Sequence, residues 1–329
     1  MQVITCVSFH STGSSVVDDI FKECSNCVSA PSDIECRFLQ DPDGISDLEY
    51  NLIDNPHRLN SEFAIKRYMR FVKRYSHTYK FIFGNEWERK SKEYINALVT
   101  VKYRGFWFRD LELMPTKELI IYWFKRIITL IKNPHKRIAG YYVDCPREMF
   151  FHSYLTAERF TTLTKSYVRG LCEALNPENK PFVLLDQCVP TSNIQRYTKY
   201  FDNIKVIVVD RDPRDVYIEH KHSKDHVLPN SPKEFCEVYR DQRNMFFASN
   251  KDNVLYLWFE DFIYNYENTV NRLFCFVGQS SKEHSEPQKY FNPDISAKNM
   301  RLWERYPQYR GDIEIIESLL PEFLYKDKN

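Results

Sequence analysis

The chain has 329 residues, 43% of them hydrophobic and 28% charged, a balance that supplies a substantial core and excludes a largely disordered protein. Its 46 basic side chains nearly cancel 45 acidic ones, which excludes nucleic-acid coating through bulk positive charge and makes any anion site local. Nine cysteines without regular spacing read as reduced thiols of a cytoplasmic protein; the Cys24 and Cys27 pair has no second pair at ligand spacing, so no metal is expected.

Taken along the chain, residues 3–9 form a short, apolar, β-rich run. It passes through a loop of small residues into a helical pattern starting at Val16, giving strand, loop and helix. A second extended stretch is expected over residues 34–39, closed by a turn containing Pro42 and Gly44. Helical spacing from Ser61 to about Tyr79 puts Phe63, Tyr68, Phe71 and Val72 on one side. Lys66, Arg67, Arg70, Lys73 and Arg74 fall on the other, as a solvated face or a guide for an anionic acceptor. Two further helices are expected near residues 91–103 and 116–131. Their surroundings are rich in aromatics, Phe106, Trp107 and Phe108 and then Tyr122, Trp123 and Phe124, which pack a core or line an acceptor pocket. Residues 60–150 thus read as a helical region inserted into a single domain spanning 1–329.

After a helix at 157–175 the pattern returns to strand–helix alternation, with apolar strands expected at 182–186, 205–210 and 253–258. Runs of this kind are buried on both faces, as parallel strands are. The fold class is therefore α/β, a doubly wound parallel sheet with flanking helices and an inserted helical subdomain. No uninterrupted apolar run approaches membrane length.

The loop holding Ser11, Thr12, Gly13, Ser14 and Ser15 sits where a strand gives way to a helix, so its N–H groups and the helix dipole converge on a space suited to phosphate. Gly13 permits close approach of the backbone, and the hydroxyls of Ser14 and Ser15 add donors. No lysine follows the glycine, so the triphosphate grip of an ATP- or GTP-binding loop is missing. Arg211 ends a strand just before Pro213 starts a helix, a position from which its fork can hold a phosphate bidentately.

These two segments resemble the sulfotransferases that use 3′-phosphoadenosine 5′-phosphosulfate (PAPS). In that family a Lys/Arg-Ser-Gly-Thr-Thr loop binds the 5′ end of the donor, and an Arg-Asn/Asp-Pro segment grips its 3′-phosphate. The resemblance implies residues 11–15 for the first role and Arg211 for the second, with no metal. Ser11 stands where the family carries a basic residue, so either His10 takes over part of the charge stabilisation or a lysine arrives from elsewhere. Glu219 stands where a phosphate-binding serine is usual, so Glu219 is expected to turn away, or Ser223 or another donor to compensate. A late basic segment of the family folds over the nucleotide, which makes Lys298 and Arg301 secondary phosphate ligands; the same residues also suit a solvated helix.

Sulfuryl transfer from PAPS to an acceptor hydroxyl, on a glycan or a steroid-like or other small alcohol, needs a base. Glu35 is the first choice, because residues 33–39 resemble the second strand of heparan-type sulfotransferases. Asp186 is the alternative, at the carboxyl end of a parallel strand. His10 and His152 are weaker candidates. A nucleotide kinase or NTPase on a similar sheet, and a non-catalytic protein that binds the product PAP, are the rival readings.

Overall fold

The structure, a computed structural model, describes residues 1–31, 34–132, 143, 145–151, 155–223, 226–249 and 253–326. The chain divides into two compact units, one made of Met1–Gln40 with Cys172–Asn329 and the other of Asp41–Leu171.

The first unit is built on a parallel sheet. Its strands β1 (Gln2–Ser8) and β2 (Cys27–Ser29) come from the N-terminal segment, and β5 (Phe182–Leu184), β6 (Ile204–Asp210) and β7 (Val254–Trp258) from the C-terminal one. The order is β2-β5-β1-β6-β7, with β1 central and paired to β6 from Val3–Ile204 through Ser8–Val209. Alternation assigns Ile4, Cys6, Ile207, Val209 and Leu257 to one face. There they pack on Val17, Ile20 and Phe21 of α1 (Ser15–Lys22) and on Leu273 and Phe274 of a later helix, Tyr266–Val277. Val3, Thr5, Val206 and Val208 fall on the opposite face and are buried as well. Both faces are thus covered, as a doubly wound sheet requires.

The second strand differs from expectation. β2 lies at Cys27–Ser29, and Arg37–Leu39 is instead a 3₁₀ turn. Phe38 and Leu39 are buried side by side, and the N–H of Cys36 donates to the Asp186 carbonyl, so the segment closes a turn and pairs with no strand.

In the second unit come α2 (Ile45–Glu49), α3 (Arg58–Arg74), α4 (Ser76–Phe83), α5 (Glu86–Leu98), β3 (Val101–Gly105), α6 (Thr116–Lys132), β4 (Arg147–Phe151) and the start of α7 (Ala157–Leu175). The expected helix at 91–103 ends early because Val101 onwards pairs antiparallel with β4. Aromatic residues supply much of the core: the buried Tyr68 hydroxyl donates to Tyr167 at 3.1 Å, and Trp87 donates to the Val72 carbonyl at 3.0 Å. The basic stretch does not act as one face. Lys66 sits between the buried carboxylates of Glu62 and Asp110 at 2.8 and 2.6 Å, and Arg67 reaches Asp43 and Asp47, while Lys73 and Arg74 are exposed.

Within the first unit the remaining helices are α8 (Ile194–Thr198), α9 (Pro213–His222), α10 (Pro232–Ser249), α11 (Phe259–Tyr264), α12 (Tyr266–Val277), α13 (Pro293–Ser296), α14 (Leu302–Arg305) and α15 (Arg310–Leu319).

Candidate active site

A cavity of about 410 Å³ opens in the first unit beyond the carboxyl ends of β1, β5, β6 and β7. Open parallel sheets place ligands there because the loops diverge at that edge and leave a crevice.

The loop after β1 is strongly curved. His10, Ser11 and Gly13 have φ of 82°, 53° and 83°, all in the left-handed region that L residues enter at a cost. Such a turn directs successive N–H groups inward, while in the first turn of α1 the N–H groups of Val16 and Val17 donate to the carbonyls of Gly13 and Ser14 at 3.2 and 3.0 Å. Ser11, Gly13, Ser14 and Ser15 line the cavity. Glycine is required at 13 for two reasons: its φ is positive, and a Cβ there would lie 2.6 Å from Cδ2 of Phe259.

Thr12 has a different task from its neighbours. It is fully buried, its hydroxyl donates to the Val209 carbonyl at 2.6 Å and accepts from the Phe9 N–H, and its side chain therefore ties the loop to β6. His10 is half-buried and is not a lining residue.

Arg211 is brought to this loop by β6. The strand's last residue, Asp210, is fully buried and receives Arg243 at 2.5 and 3.0 Å, Tyr256 at 2.6 Å and the N–H of Arg211 at 2.8 Å. Asp212 then caps α9 by accepting from the Arg214 N–H. With the backbone fixed on both sides, the Arg211 guanidinium projects back to the β1 loop. Its Nη1 donates to the Ser11 carbonyl at 3.3 Å, its Nη2 to the Asn299 carbonyl at 2.5 Å, and its carbon stands 5.3 Å from the Phe259 ring centre. Its Nε is buried and has no hydrogen-bond partner among the described residues.

Glu219 does not turn away. Its carboxylate is bound by Nη1 of Arg211, and it lines the same cavity. Helix α9 runs from Pro213, and residue 219 lies six residues further on, near enough to the strand end for the opposite charge to be captured. Four carboxylates therefore line the cavity, from Asp19, Glu35, Asp186 and Glu219, and Arg211 is the lining cation among the described residues.

The two candidate bases occupy contrasting settings. Asp186, at the end of β5, is largely buried, and that burial raises its carboxyl from 3.8 to about 6. The Cys6 thiol donates to its Oδ1 at 3.1 Å and opposes the rise, while the nearby charges of Asp18 and Glu35 add to it. Cys6 itself is pushed well above its ordinary value by burial, so it stays a thiol. Glu35 is half exposed and pairs with Arg37 at 3.4 Å. Both line the cavity, but a desolvated carboxylate is the stronger base of the two. His152 lies outside the described residues.

Lys298 and Arg301 do not line this cavity. Arg301 has a left-handed backbone, with φ of 54°, and its N–H donates to Asp215 at 3.0 Å. Its guanidinium pairs with Glu304 and faces a separate cavity of about 400 Å³ beside Arg214 and Trp303. Lys298 is exposed, and its carbonyl accepts from Arg305. The late segment does reach the site, but through Ser296 and the carbonyl of Asn299.

Sequence reasoning missed Ser8, Asp19, Gln187, Phe259, Ser296 and Asn299. Gln187 is the most consequential: its Nε2 donates to Ser8 and Ser14 hydroxyl oxygens, both at 3.0 Å, and so fixes the loop's donors. Ser8, Gln187 and Phe259 all stand at or just past strand ends, the one signal that would have found them. Among the described residues, no group of three or more His, Cys, Asp or Glu is arranged to hold a metal ion.

No protein-family model matches the chain, and no curated protein matches it by sequence. It is similar to solved structures of sulfotransferases. One is the sulfotransferase domain of the Synechococcus PCC 7002 olefin synthase, at 12% identity and TM-score 0.42, over 96% of this chain and 93% of that one. A second is retinol dehydratase in complex with androsterone and PAP, at 14% identity and TM-score 0.38, over 100% and 84%. A third is a sulfotransferase from Mycobacterium avium, at 9% identity and TM-score 0.37, over 95% and 76%.

Proposed function

We propose that this protein is a sulfotransferase that moves the sulfuryl group of PAPS to an acceptor hydroxyl, with Asp186 as the base. One observation carries the reading: two anion-binding elements 200 residues apart in sequence meet, with Nη1 of Arg211 at 3.3 Å from the carbonyl of Ser11. They share a cavity with a partly desolvated carboxylate.

A nucleotide phosphorylated at both ends needs two cradles. The N–H groups of the curved loop before α1 and the hydroxyls of Ser14 and Ser15 suit the 5′ phosphosulfate, and Arg211 suits the 3′-phosphate. The buried, unpartnered Nε of Arg211 is consistent with a further acceptor arriving there. The acceptor oxygen attacks sulfur, the bond from sulfur to the 5′-phosphate oxygen breaks with its electron pair leaving on the phosphate, and the hydroxyl proton passes to Asp186. A carboxyl near 6 is ionised at neutral pH yet basic enough to take that proton. Ser14 accepts from Gln187, which leaves its own O–H to stabilise the departing phosphate. The acceptor belongs to the glycans or to steroid-like and other small alcohols.

Glu219 favours a second reading, a protein that binds PAP without turnover, because a carboxylate already holds the arginine meant for the phosphate. Calorimetry with PAP, followed by turnover of labelled PAPS against pooled hydroxyl acceptors, separates the two. Binding that is lost in Arg211→Ala, together with label transfer, supports the sulfotransferase. Binding without transfer leaves the second reading, and PAP affinity indifferent to Arg211→Ala sinks both.

A further inference from the structure

We infer that helix α6 is a membrane-docking element that lays its outer face on an anionic lipid surface. The second unit buries little of this helix. Tyr122 is its buried side chain, stacked on Phe106 with ring centres 5.6 Å apart within a small cluster that includes Met114 and Val143. Ile120, Trp123, Phe124, Ile127, Ile128 and Ile131 are exposed, at 36–73%. At 3.6 residues per turn, Ile120, Phe124, Ile127 and Ile131 fall within about 60° of one another on the helix surface. A contiguous apolar stripe of this kind on a soluble unit marks an interaction face.

Charge names the occupant. The helix carries Lys117, Lys125, Arg126 and Lys132 against one acid, Glu118, and Glu118 is held by Arg147. Helical rotation sets Lys125 and Lys132 along one margin of the stripe and Arg126 along the other, with its guanidinium 4.8 Å from the Trp123 ring centre. An apolar face edged by long cationic side chains, with an indole at the margin, is the form that sinks into the headgroup boundary while its charges meet lipid phosphates. A second copy of the chain would bring two cationic margins together, which disfavours self-pairing through this face. The helix lies in the plane and does not span. Seventeen residues reach about 25 Å, short of a bilayer's hydrocarbon core, and among the described residues no helix is long and apolar enough to cross a membrane.

The inference is independent of the sulfuryl-transfer reading, since it rests on the second unit alone. The test is co-sedimentation of the full chain with phosphatidylcholine vesicles with and without phosphatidylserine, in low and high salt. The expected result is binding to the phosphatidylserine vesicles, weakened by salt and reduced at least tenfold in Ile127→Glu/Ile131→Glu. Lys125→Glu/Arg126→Glu should lose the preference for anionic lipid while keeping the same circular dichroism. Ile127, Ile131 and Lys125 are exposed and Arg126 is half-buried, so an unchanged circular dichroism spectrum is required of both variants. Wild-type protein that stays in the supernatant with every vesicle overturns the inference. So does a charged-stripe variant that binds as well as wild type, or a variant whose one effect is to dissociate an oligomer seen by light scattering.

Discussion

Replacing Asp186 with Asn separates a catalytic carboxylate from a structural one, because the two roles predict opposite changes in stability. Burial raises this carboxyl from 3.8 to about 6 in the folded chain. That difference corresponds to about 3 kcal/mol, and about 2 kcal/mol after allowing for the solvent the cavity admits. The folded state holds the proton more tightly than the unfolded chain does, so stability falls as pH rises from about 4 to about 6 and the loss is complete above that window. Asn has the same shape, still accepts the Cys6 thiol hydrogen bond, and carries no charge. Asp186→Asn should therefore melt higher than wild type at pH 7.5, by roughly 4 °C, with the gain vanishing near pH 4. Turnover of labelled PAPS should fall at least ~100-fold, the smallest loss expected of a missing general base. The wild-type kcat/KM should rise with pH through an apparent pKa close to 6. Glu35→Gln, at an exposed carboxylate, should stay within about threefold of wild type, inside the range of a surface charge change. A lower melting point for Asp186→Asn at pH 7.5, or turnover kept by Asp186→Asn and lost by Glu35→Gln, would refute the reasoning.

Two further substitutions probe the cradle. Glu219→Ser removes the carboxylate that now holds Arg211; a half-exposed acid on a buried guanidinium is worth about 1.5 kcal/mol, so PAP affinity by calorimetry should rise about tenfold. AMP, which lacks the 3′-phosphate, should be unaffected, and an equal gain for both nucleotides would mean that Glu219 does not compete at that position. Gly13→Ala forces a left-handed backbone and an overlap with Phe259, so chemical denaturation should show a loss of about 2–4 kcal/mol together with weakened PAP binding.

What could be read from the sequence was local in origin. The strand, loop and helix at the N-terminus, and the strand that ends just before Arg211 and a proline-started helix, are encoded by neighbours in sequence, and they form as the pattern requires. The choice between Glu35 and Asp186 is of another kind. Asp186 is buried among contacts far apart in sequence, the Cys6 thiol on its carboxylate and the Cys36 N–H on its carbonyl, that no local pattern reveals. Glu35, flanked by Arg37 and an apolar pair, has the better motif and the more exposed position. Arg301 lies outside the cavity for a similar reason: its N–H is held by Asp215 from α9, and its side chain pairs with Glu304.

The pairing of Arg211 with Glu219 follows from the electrostatics of the whole cavity. A buried guanidinium without a counter-ion is costly, and Glu219 supplies one. Serine at 219 would leave that charge to the solvent and the ligand, whereas glutamate neutralises it from within. With Asp19, Glu35 and Asp186 also facing the cavity, its net charge gives an anion no general attraction. On the proposed reading, affinity comes from directed donors, the N–H groups of the curved loop and the Arg211 fork once Glu219 releases it. An anion site of that kind selects by geometry, and it accommodates a chain whose acidic and basic residues almost balance.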